Sequence, residues 1–211
     1  MTMMAAFAPQ HITVEAVTLP SDVPKYDLVA SFLKIRKQVF VDQKGWALFH
    51  ADGIEFEQYD TFDTTYVLAH EGGRVLGGAR LRRTDRWAGA GSVNYSYMIR
   101  DACLGLLPGM PTNLCHCVPP MNEKTWELTR LVALPGSGVV ERILQAANAY
   151  LSAMGAERCL FLGSPAFLRI ASRLGWAPRA LGDVVGNIDG RFVAFDCDVL
   201  GNSVSERAEA E

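Results

Sequence analysis

The second half of the chain alternates between short apolar segments and longer amphipathic segments. Trp126–Leu134, Arg158–Gly163 and Phe192–Val199 have the length and composition of buried strands, whereas Val139–Met154 and Pro165–Arg173 are predicted to be helices. Strands that alternate with helices usually pair in parallel, with the helices packed on the faces of the sheet. The second half therefore predicts a parallel α/β unit.

The first half predicts a helix followed by an antiparallel hairpin. Asp22–Val41 is predicted to be helical because it carries an apolar stripe at helical spacing. The stripe is formed by Leu28, Phe32, Ile35 and Val39. Thr64–His70 and Arg74–Arg83 are predicted strands, joined by a glycine turn. A hairpin combined with parallel strands predicts a mixed, twisted sheet in a three-layer α/β/α sandwich. Trp87–Asn122 is rich in Gly, Pro and Asn and is expected to be irregular.

Composition narrows the class of protein. The 211 residues are 49% hydrophobic and 20% charged, which is typical of a folded globular chain. We predict one domain over 1–200 and a polar, frayed tail over 201–211. The net charge of −3 argues against a general nucleic-acid binder. No apolar run reaches the ~20 residues of a membrane span, and Met1–Gln10 lacks the positive charge of a secretory signal.

The cysteines predict a reducing compartment. Their number, 5, is odd, which fits the cytoplasm better than a disulfide framework. Cys115-His116-Cys117 places its two cysteines closer together than zinc sites usually do, so we expect an ordinary loop and no metal there.

Charged residues in three places do not follow the burial pattern. The segment Glu55–Asp60 carries three carboxylates, Arg80 lies in an otherwise apolar strand, and Glu127 and Arg130 lie in the predicted buried strand. Taken singly, these residues fit a solvated loop, an edge strand with one wet face and a structural ion pair. Taken together, they fit a charged cluster at the mouth of a cleft.

The spacing of Glu127 and Arg130 makes a geometric prediction. Residues three apart on a regular strand point to opposite faces of the sheet. Both side chains can reach one cleft only if the strand carries a bulge, and a bulge would also separate this strand from its neighbour. We therefore expect a bulge in Trp126–Leu134 and a slot beside it.

Five short motifs, in order, resemble the acyl-homoserine-lactone synthases, the autoinducer synthases of bacterial quorum sensing. They are Arg36-x-x-x-Phe40, Trp46, the acidic box ending Gln58-Tyr59-Asp60, Gly78-Ala79-Arg80-Leu81 and Trp126-Glu127-Leu128-Thr129-Arg130. The likeness runs from about Leu28 to Trp176. It departs from the family at Glu57, where Asp is usual, and at an apparent insertion over Arg86–Tyr97.

The resemblance implies a fold related to the GCN5-type N-acetyltransferases and an acyltransferase activity without a cofactor. S-adenosylmethionine would be a substrate, acylated on its α-amine by a fatty-acyl thioester of acyl carrier protein or coenzyme A. Its carboxylate would then close the lactone and release 5′-methylthioadenosine.

The same resemblance assigns roles to the charged residues and their aromatic neighbours. Amide formation needs a neutral amine, and Glu127 is the candidate base, with a positioning role as the alternative. Arg130 is the second catalytic candidate, because it or Arg36 could orient the nucleophilic carboxylate. Arg80 is expected to hold the acidic box by bidentate pairing. The residues expected to bind S-adenosylmethionine are Arg36, Phe40, Trp46, Glu57, Asp60 and Arg80.

The acyl chain needs an apolar channel. The candidates for its wall are Leu128, Leu131, Leu160, Phe161, Leu162, Phe167 and Trp176, and plain core packing is the alternative for each of them. An aromatic residue at Phe161 disfavours a 3-oxo substrate. An acidic carrier protein would need a basic patch, for which the candidates are Arg142, Arg158, Arg169 and Arg173.

Two other functions compete with this one. An acyl-CoA-dependent N-acyltransferase of the same fold, acting on another amine, would carry a Gly-rich pyrophosphate loop after the central strand, and Pro135-Gly136-Ser137-Gly138 only partly resembles one. A non-enzymatic sensor of a small apolar ligand would need few charges, so the charged residues argue against it.

Overall fold

A mixed β-sheet forms the centre of the protein. The structure is a computed structural model, and it describes residues 11–90 and 92–201. Within these residues the strands are β1 (Ile12–Thr18), β2 (His50–Ala51), β3 (Ile54–Glu55), β4 (Thr65–Glu71), β5 (Arg74–Arg83), β6 (Ala88–Ala90), β7 (Val93–Tyr95), β8 (Thr125–Ala133), β9 (Arg158–Gly163), β10 (Arg179–Ala180), β11 (Val185–Asn187) and β12 (Gly190–Asp198). The helices are α1 (Tyr26–Arg36), α2 (Met98–Cys103), α3 (Val140–Ala153) and α4 (Pro165–Arg173), with a 3-10 turn at Val23–Lys25 and a π-helical segment at Lys37–Gln43.

The strand order of the main sheet is β1-β4-β5-β8-β9-β12-β10, and β11 pairs with β12. β8 and β9 are parallel, whereas the other neighbours are antiparallel. The mixed sheet is confirmed, but the parallel pairing expected throughout the second half is wrong for the last strand. β11 and β12 form a tight hairpin, so β12 enters the sheet in the direction opposite to β9.

Helices cover both faces of the sheet, which confirms the three-layer sandwich. One face packs Phe32 and Leu33 of α1 against Tyr66 and Leu68 of β4. The other face packs α3 and α4 in a second apolar cluster, which includes Leu81 of β5. Arg80 and Arg82, which alternate with Ala79 and Leu81 along β5, point to the opposite face and are buried there. The alternative that Arg80 lies on a wet edge strand is therefore wrong.

β8 carries the predicted bulge. The register of β8 on β5 moves from Gly78 opposite Val132 to Arg80 opposite Thr129, which leaves one extra residue in β8. Arg130 lies in this bulge and has a φ of +55°. Pairing of β8 with β9 ends at Leu128 opposite Phe161. Both strands continue beyond that point, so they separate where the slot was expected.

The segment expected to be irregular contains regular structure. Part of it forms the β6–β7 hairpin, within the apparent insertion, and part forms α2. A helix of six residues is too short for an apolar period to reveal, which is why the sequence pattern missed it. The strand β1, at the edge of the sheet, was missed as well.

Other expectations concern the chain as a whole. No helix of the described ranges is both long and apolar enough to cross a membrane. The predicted lack of a signal at Met1–Gln10 and the predicted tail lie outside the described residues, except Gly201 at the start of the tail. The domain boundaries stay predictions.

We predict that Gly78→Ala destabilises the protein. A Cβ at Gly78 would lie 2.7 Å from Leu68 Cδ2 and 2.8 Å from the Val67 carbonyl oxygen, so the sheet or α1 must move. We expect a loss of about 1–3 kcal/mol of unfolding free energy, measured in urea. Gly201→Ala, where a Cβ meets nothing within 4 Å, is the control. Equal urea midpoints for the two variants would contradict the prediction.

Candidate active site

Three carboxylates and three guanidinium groups meet above the face of the sheet that α1 covers. The carboxylates come from the acidic segment Glu55–Asp60, which begins at the last residue of β3, and the guanidinium groups come from α1, β5 and the β8 bulge. The six residues are Glu55, Glu57, Asp60, Arg36, Arg80 and Arg130, and we call them the acid–arginine cluster. Opposite charges are equal in number, so the mutual repulsion of the three acids is offset. The alternative of a solvated acidic loop is wrong, because Glu55 and Asp60 are buried.

Arg36 and Asp60 form a fully buried, bidentate pair in this cluster. Arg36 donates to both oxygens of Asp60, at 2.7 and 2.9 Å, and also pairs with Glu55. Asp60 accepts further bonds from the Glu57 amide and the Tyr66 hydroxyl, at 2.9 and 3.0 Å. Burial alone would raise the pKa of Asp60, but Arg80 and Arg36 outweigh it and hold this pKa well below its usual value.

Glu57 is held between two arginines. Arg80 donates to one of its oxygens and Arg130 to the other, each at 2.6 Å. Arg80 also lies 3.2 Å from Asp60, so it bridges two acids, and the bidentate pair expected of Arg80 is formed by Arg36 instead. Burial would raise the pKa of Glu57, and Arg130 and Arg80 lower it below the usual value.

The members of the cluster differ in their access to solvent. The side chains of Arg36, Glu55, Asp60 and Arg80 have no exposed area, whereas those of Glu57 and Arg130 are 14% and 8% exposed. Only the side of the cluster formed by Glu57 and Arg130 can therefore touch a ligand in this conformation.

Glu127 lies on β8 next to this cluster and forms no ion pair with Arg130. Its two oxygens accept hydrogen bonds from the backbone amides of Met98 and Ile99, at 3.1 and 2.7 Å, at the start of α2. Burial raises the pKa of Glu127 to about 7, although these amides and Arg80 oppose the shift. The alternative of a structural Glu127–Arg130 ion pair is wrong, because Arg130 pairs with Glu55 and Glu57.

Phe40 and Trp46 form a stacked aromatic pair beside the cluster. Their ring centroids are 5.0 Å apart and their planes differ by 3°. The Lys44 ammonium lies 4.7 Å from the Trp46 ring centroid, and the Arg130 guanidinium lies 5.9 Å from that of Phe40. The aromatic pair therefore already attracts cations.

Comparison with known proteins identifies the family. The autoinducer synthase family model matches residues 24–101. An acyl-homoserine-lactone synthase of Ralstonia solanacearum is 34% identical over 167 residues, which is 74% of each chain. The chain belongs to the acyl-homoserine-lactone synthases. These enzymes are acyltransferases, so the sensor alternative is wrong.

Solved structures agree with the fold of this synthase. The CoA-dependent synthase BjaI, solved with SAM and isopentyl-CoA, has a TM-score of 0.77 at 20% identity, over 93% of this chain and 87% of that one. TofI, solved with an inhibitor and MTA, has a TM-score of 0.69 at 26% identity, over 92% and 94%. An acyl-CoA N-acyltransferase from Pseudomonas aeruginosa reaches 0.55 at 16% identity, over 88% and 99%, so the expected relation to N-acyltransferases is confirmed for the fold.

The structure separates the residues expected to line the acyl channel of the synthase. Five of them lie together on the face that α3 and α4 cover: Leu128, Leu131, Phe161, Phe167 and Trp176. Leu160 and Leu162 lie on the opposite face with α2, because neighbouring residues of β9 alternate between faces. The seven side chains therefore do not form one wall. The cavity beside Leu128, Phe161 and Trp176 has about 10 Å³, close to the space of one water molecule.

The expected basic patch is partly engaged in contacts within the chain. Arg173 pairs with Glu141, Arg158 pairs with Asp196, and Arg142 donates to the Ile12 carbonyl, whereas Arg169 is exposed.

Sequence reasoning missed a buried polar group next to Glu127. Asp101 of α2 accepts hydrogen bonds from Ser96 and from the Tyr59 hydroxyl. The one sequence signal for this contact was the position of Tyr59 inside the acidic box. Arg82, also buried, donates to the Ser96 carbonyl at 2.7 Å and to the Thr61 hydroxyl at 3.0 Å.

We predict that Asp60→Asn lowers the unfolding free energy by about 3–5 kcal/mol, because it leaves Arg36 and Arg80 buried without their shared carboxylate. The folded-state pKa of Asp60 is depressed, so its stabilisation is present at neutral pH. It is lost as the pH falls from about 3.9, the ordinary value, towards the folded pKa. Urea titrations at several pH values measure this, and the variant should lose less stability than the wild type on acidification.

Asp198→Asn is the matched control for this prediction. Asp198 pairs with Arg179 at the surface, where the carboxylate is 59% exposed. An exposed pair contributes at most about 1 kcal/mol. Equal losses of unfolding free energy in Asp60→Asn and Asp198→Asn would contradict the prediction, because the buried cluster would then stabilise the protein no more than an exposed ion pair.

Proposed function

We propose that this synthase makes an acyl-homoserine lactone, a quorum-sensing signal, from S-adenosylmethionine and a fatty-acyl thioester. The observation that carries the proposal is the accessible Glu57–Arg130 side of a buried charged cluster, with a protonatable Glu127 and an aromatic pair beside it, in a chain of this family. Membership of the family and the SAM, isopentyl-CoA and MTA named in the related structures support it.

The reaction has two steps. In the first, the α-amine of S-adenosylmethionine attacks the thioester carbonyl carbon, an amide bond forms and the C–S bond of the thioester breaks. The ammonium gives up two protons, of which one ends on the departing thiol and the other leaves through a base. In the second, the substrate carboxylate attacks the carbon next to the sulfonium, and that C–S bond breaks with its electron pair passing to sulfur. The products are the lactone, 5′-methylthioadenosine and a free thiol.

Substrate recognition is assigned to the partly exposed Glu57, Arg130 and Trp46, the last of which stacks on the buried Phe40. The Glu57 carboxylate and the Phe40–Trp46 pair suit the ammonium and sulfonium, and the Lys44 ammonium on these rings supports their affinity for a cation. Arg130 suits the substrate carboxylate. Arg36, Asp60 and Arg80 would then not touch the substrate but would fix the positions of Glu57 and Arg130.

Proton removal is assigned to Glu127. A base that works near neutral pH needs a pKa near 7, and burial gives Glu127 that value. Each of its oxygens accepts one hydrogen bond from an amide and keeps a lone pair for a proton. A proton can pass to it directly or through water.

The thioester is assigned to the place where β8 and β9 separate. Backbone N–H groups of β8 beyond Leu128 that face β9 are released from pairing and can donate to the developing oxyanion. The acyl chain would then enter between Leu128, Leu131, Phe161, Phe167 and Trp176, and these side chains must move apart to admit it, because the cavity beside them has only about 10 Å³. Acyl carrier protein and coenzyme A present the same thioester, and no resident cofactor is needed. We propose a cytoplasmic location, where the five free thiols stay reduced.

We predict that the purified protein, given S-adenosylmethionine and a panel of acyl carrier protein and acyl-CoA donors, releases 5′-methylthioadenosine and an acyl-homoserine lactone in equal amounts. Liquid chromatography with mass spectrometry measures both products. Acylation of another amine without methylthioadenosine would favour the N-acyltransferase alternative. No product with any donor would contradict the proposed function.

We predict that Glu127→Gln lowers kcat at least about 100-fold, because the amide cannot accept the proton. In the wild type, kcat/KM should rise with pH through about 7 as Glu127 ionises. This rise should be absent from the residual activity of the variant. Glu141→Gln, at a glutamate of α3 whose side chain is 47% exposed, is the control and should leave the pH profile unchanged. Near-native turnover by Glu127→Gln would dismiss the base role.

A further inference from the structure

Asp101 is a buried carboxylate that the proposed reaction does not use. It is 1% exposed and lies in α2, and its oxygens accept three hydrogen bonds. The Ser96 amide and the Tyr59 hydroxyl both donate to Oδ2 at 2.8 Å, and the Ser96 hydroxyl donates to Oδ1 at 2.6 Å. No salt bridge to Asp101 occurs within the described residues, in contrast to the acids of the acid–arginine cluster.

These bonds close the turn that leads into α2. Ser96 precedes Tyr97, and the next two residues, Met98 and Ile99, supply the amides that bind Glu127. By holding both the amide and the hydroxyl of Ser96, Asp101 fixes the start of this turn relative to the helix. The position of the Met98 and Ile99 amides therefore depends on Asp101.

Tyr59 extends the same contact to the acid–arginine cluster. It lies between Glu57 and Asp60 in the chain, and the Arg80 guanidinium lies 5.4 Å from the centroid of its ring. Its hydroxyl is the direct link from the acidic segment to α2. One carboxylate thus joins the segment that carries Glu57 to the turn that binds Glu127.

We propose that Asp101 is a positioning residue, which holds the Met98 and Ile99 amides on the Glu127 carboxylate and fixes that carboxylate relative to the acid–arginine cluster. The proposal deepens the proposed function, since it rests on Glu127 as the base. A group held in this way keeps one orientation towards the reacting amine, and a displacement of about 1 Å at such a site can lower a rate by about 100-fold.

The positioning has a titration consequence with a fixed sign. Amide hydrogen bonds favour the ionised carboxylate, so loosening them raises the pKa of Glu127. The other charged and titratable groups around Glu127 are Arg80 and Arg82 of β5, Glu57 and Tyr59 of the acidic segment, Tyr97 of the turn and Cys159 of β9. A substitution at Asp101 replaces none of these residues, but it removes the hydrogen-bond partner of Tyr59 and a negative charge near Arg82. Loss of that charge alone would lower the pKa of Glu127, which is opposite to the shift expected from loosened amides.

Two substitutions separate position from charge. Asp101→Ala removes all three hydrogen bonds. Asp101→Asn can keep all three contacts: the amide oxygen replaces Oδ2, and the NH2 group donates to the Ser96 hydroxyl in place of Oδ1. Only the charge is lost in the asparagine variant.

We predict that Asp101→Ala lowers kcat about 10-fold or more and moves the acid limb of kcat/KM up by about 1 pH unit. Asp101→Asn should retain most of the activity, and its acid limb should not move upward. Carbon-13 NMR titration of the Glu127 carboxyl should report the same upward shift in Asp101→Ala, independently of turnover. Ser96→Ala, which removes a single side-chain bond, should shift the limb in the same direction by less if Asp101→Ala does not fold.

Leu151→Ala is the control for a purely structural effect. Leu151 is a buried residue of α3 in the apolar cluster that also holds Trp126 and Leu128, so it packs on the face of the sheet opposite to Glu127. The substitution should lower the melting temperature without moving the acid limb. An active Asp101→Ala variant with an unchanged acid limb and an unchanged Glu127 titration would overturn the positioning role. Absence of methylthioadenosine release by the wild type would overturn the proposed function instead, and the NMR titration would still test the position of the amides.

Discussion

The pairing of buried carboxylates with buried guanidinium groups is the constraint on which the site depends. Arg36 comes from α1, Arg80 from β5 and Arg130 from the β8 bulge, and the acidic segment joins all three. Charges removed from water cost several kcal/mol each unless their partners are in place. The elements that carry the cluster can therefore pack together only in the arrangement that pairs every charge.

The bulge in β8 follows from the same constraint. Without the extra residue, Arg130 would point towards the apolar cluster around α3, and Glu55 and Glu57 would lose a partner. The positive φ of Arg130 is a strain that the ion pairs offset. The sequence allowed this to be predicted, because Glu127 and Arg130 are both charged, three residues apart and in an apolar strand. The sequence also predicts the two neighbours of β8, which are β5 and β9, and the helices α3 and α4. The reason is related: the apolar residues of these elements recur at regular spacing.

Other features depend on contacts that a local pattern does not contain. α2 is stabilised by two contacts: its first amides donate to Glu127, and Asp101 accepts from Tyr59. Both partners are distant from α2 in the sequence, so no local pattern shows these contacts. The direction of β12 is set by a three-residue strand, β11, whose composition resembles a loop. The separation of Leu160 and Leu162 from Phe161 was predictable in principle from strand alternation, but an apolar residue is compatible with either face when both faces are buried.

The Phe40–Trp46 pair has a consequence for selectivity. Its faces already hold the ammonium of Lys44, so a cationic ligand that used them would exchange one cation for another. The net gain in binding free energy would then be the difference between the attraction of the rings for the ligand cation and their attraction for Lys44. A neutral thioether has no such attraction, so Lys44 would displace it from the rings. Such an exchange would favour release of 5′-methylthioadenosine, because its sulfur carries no charge.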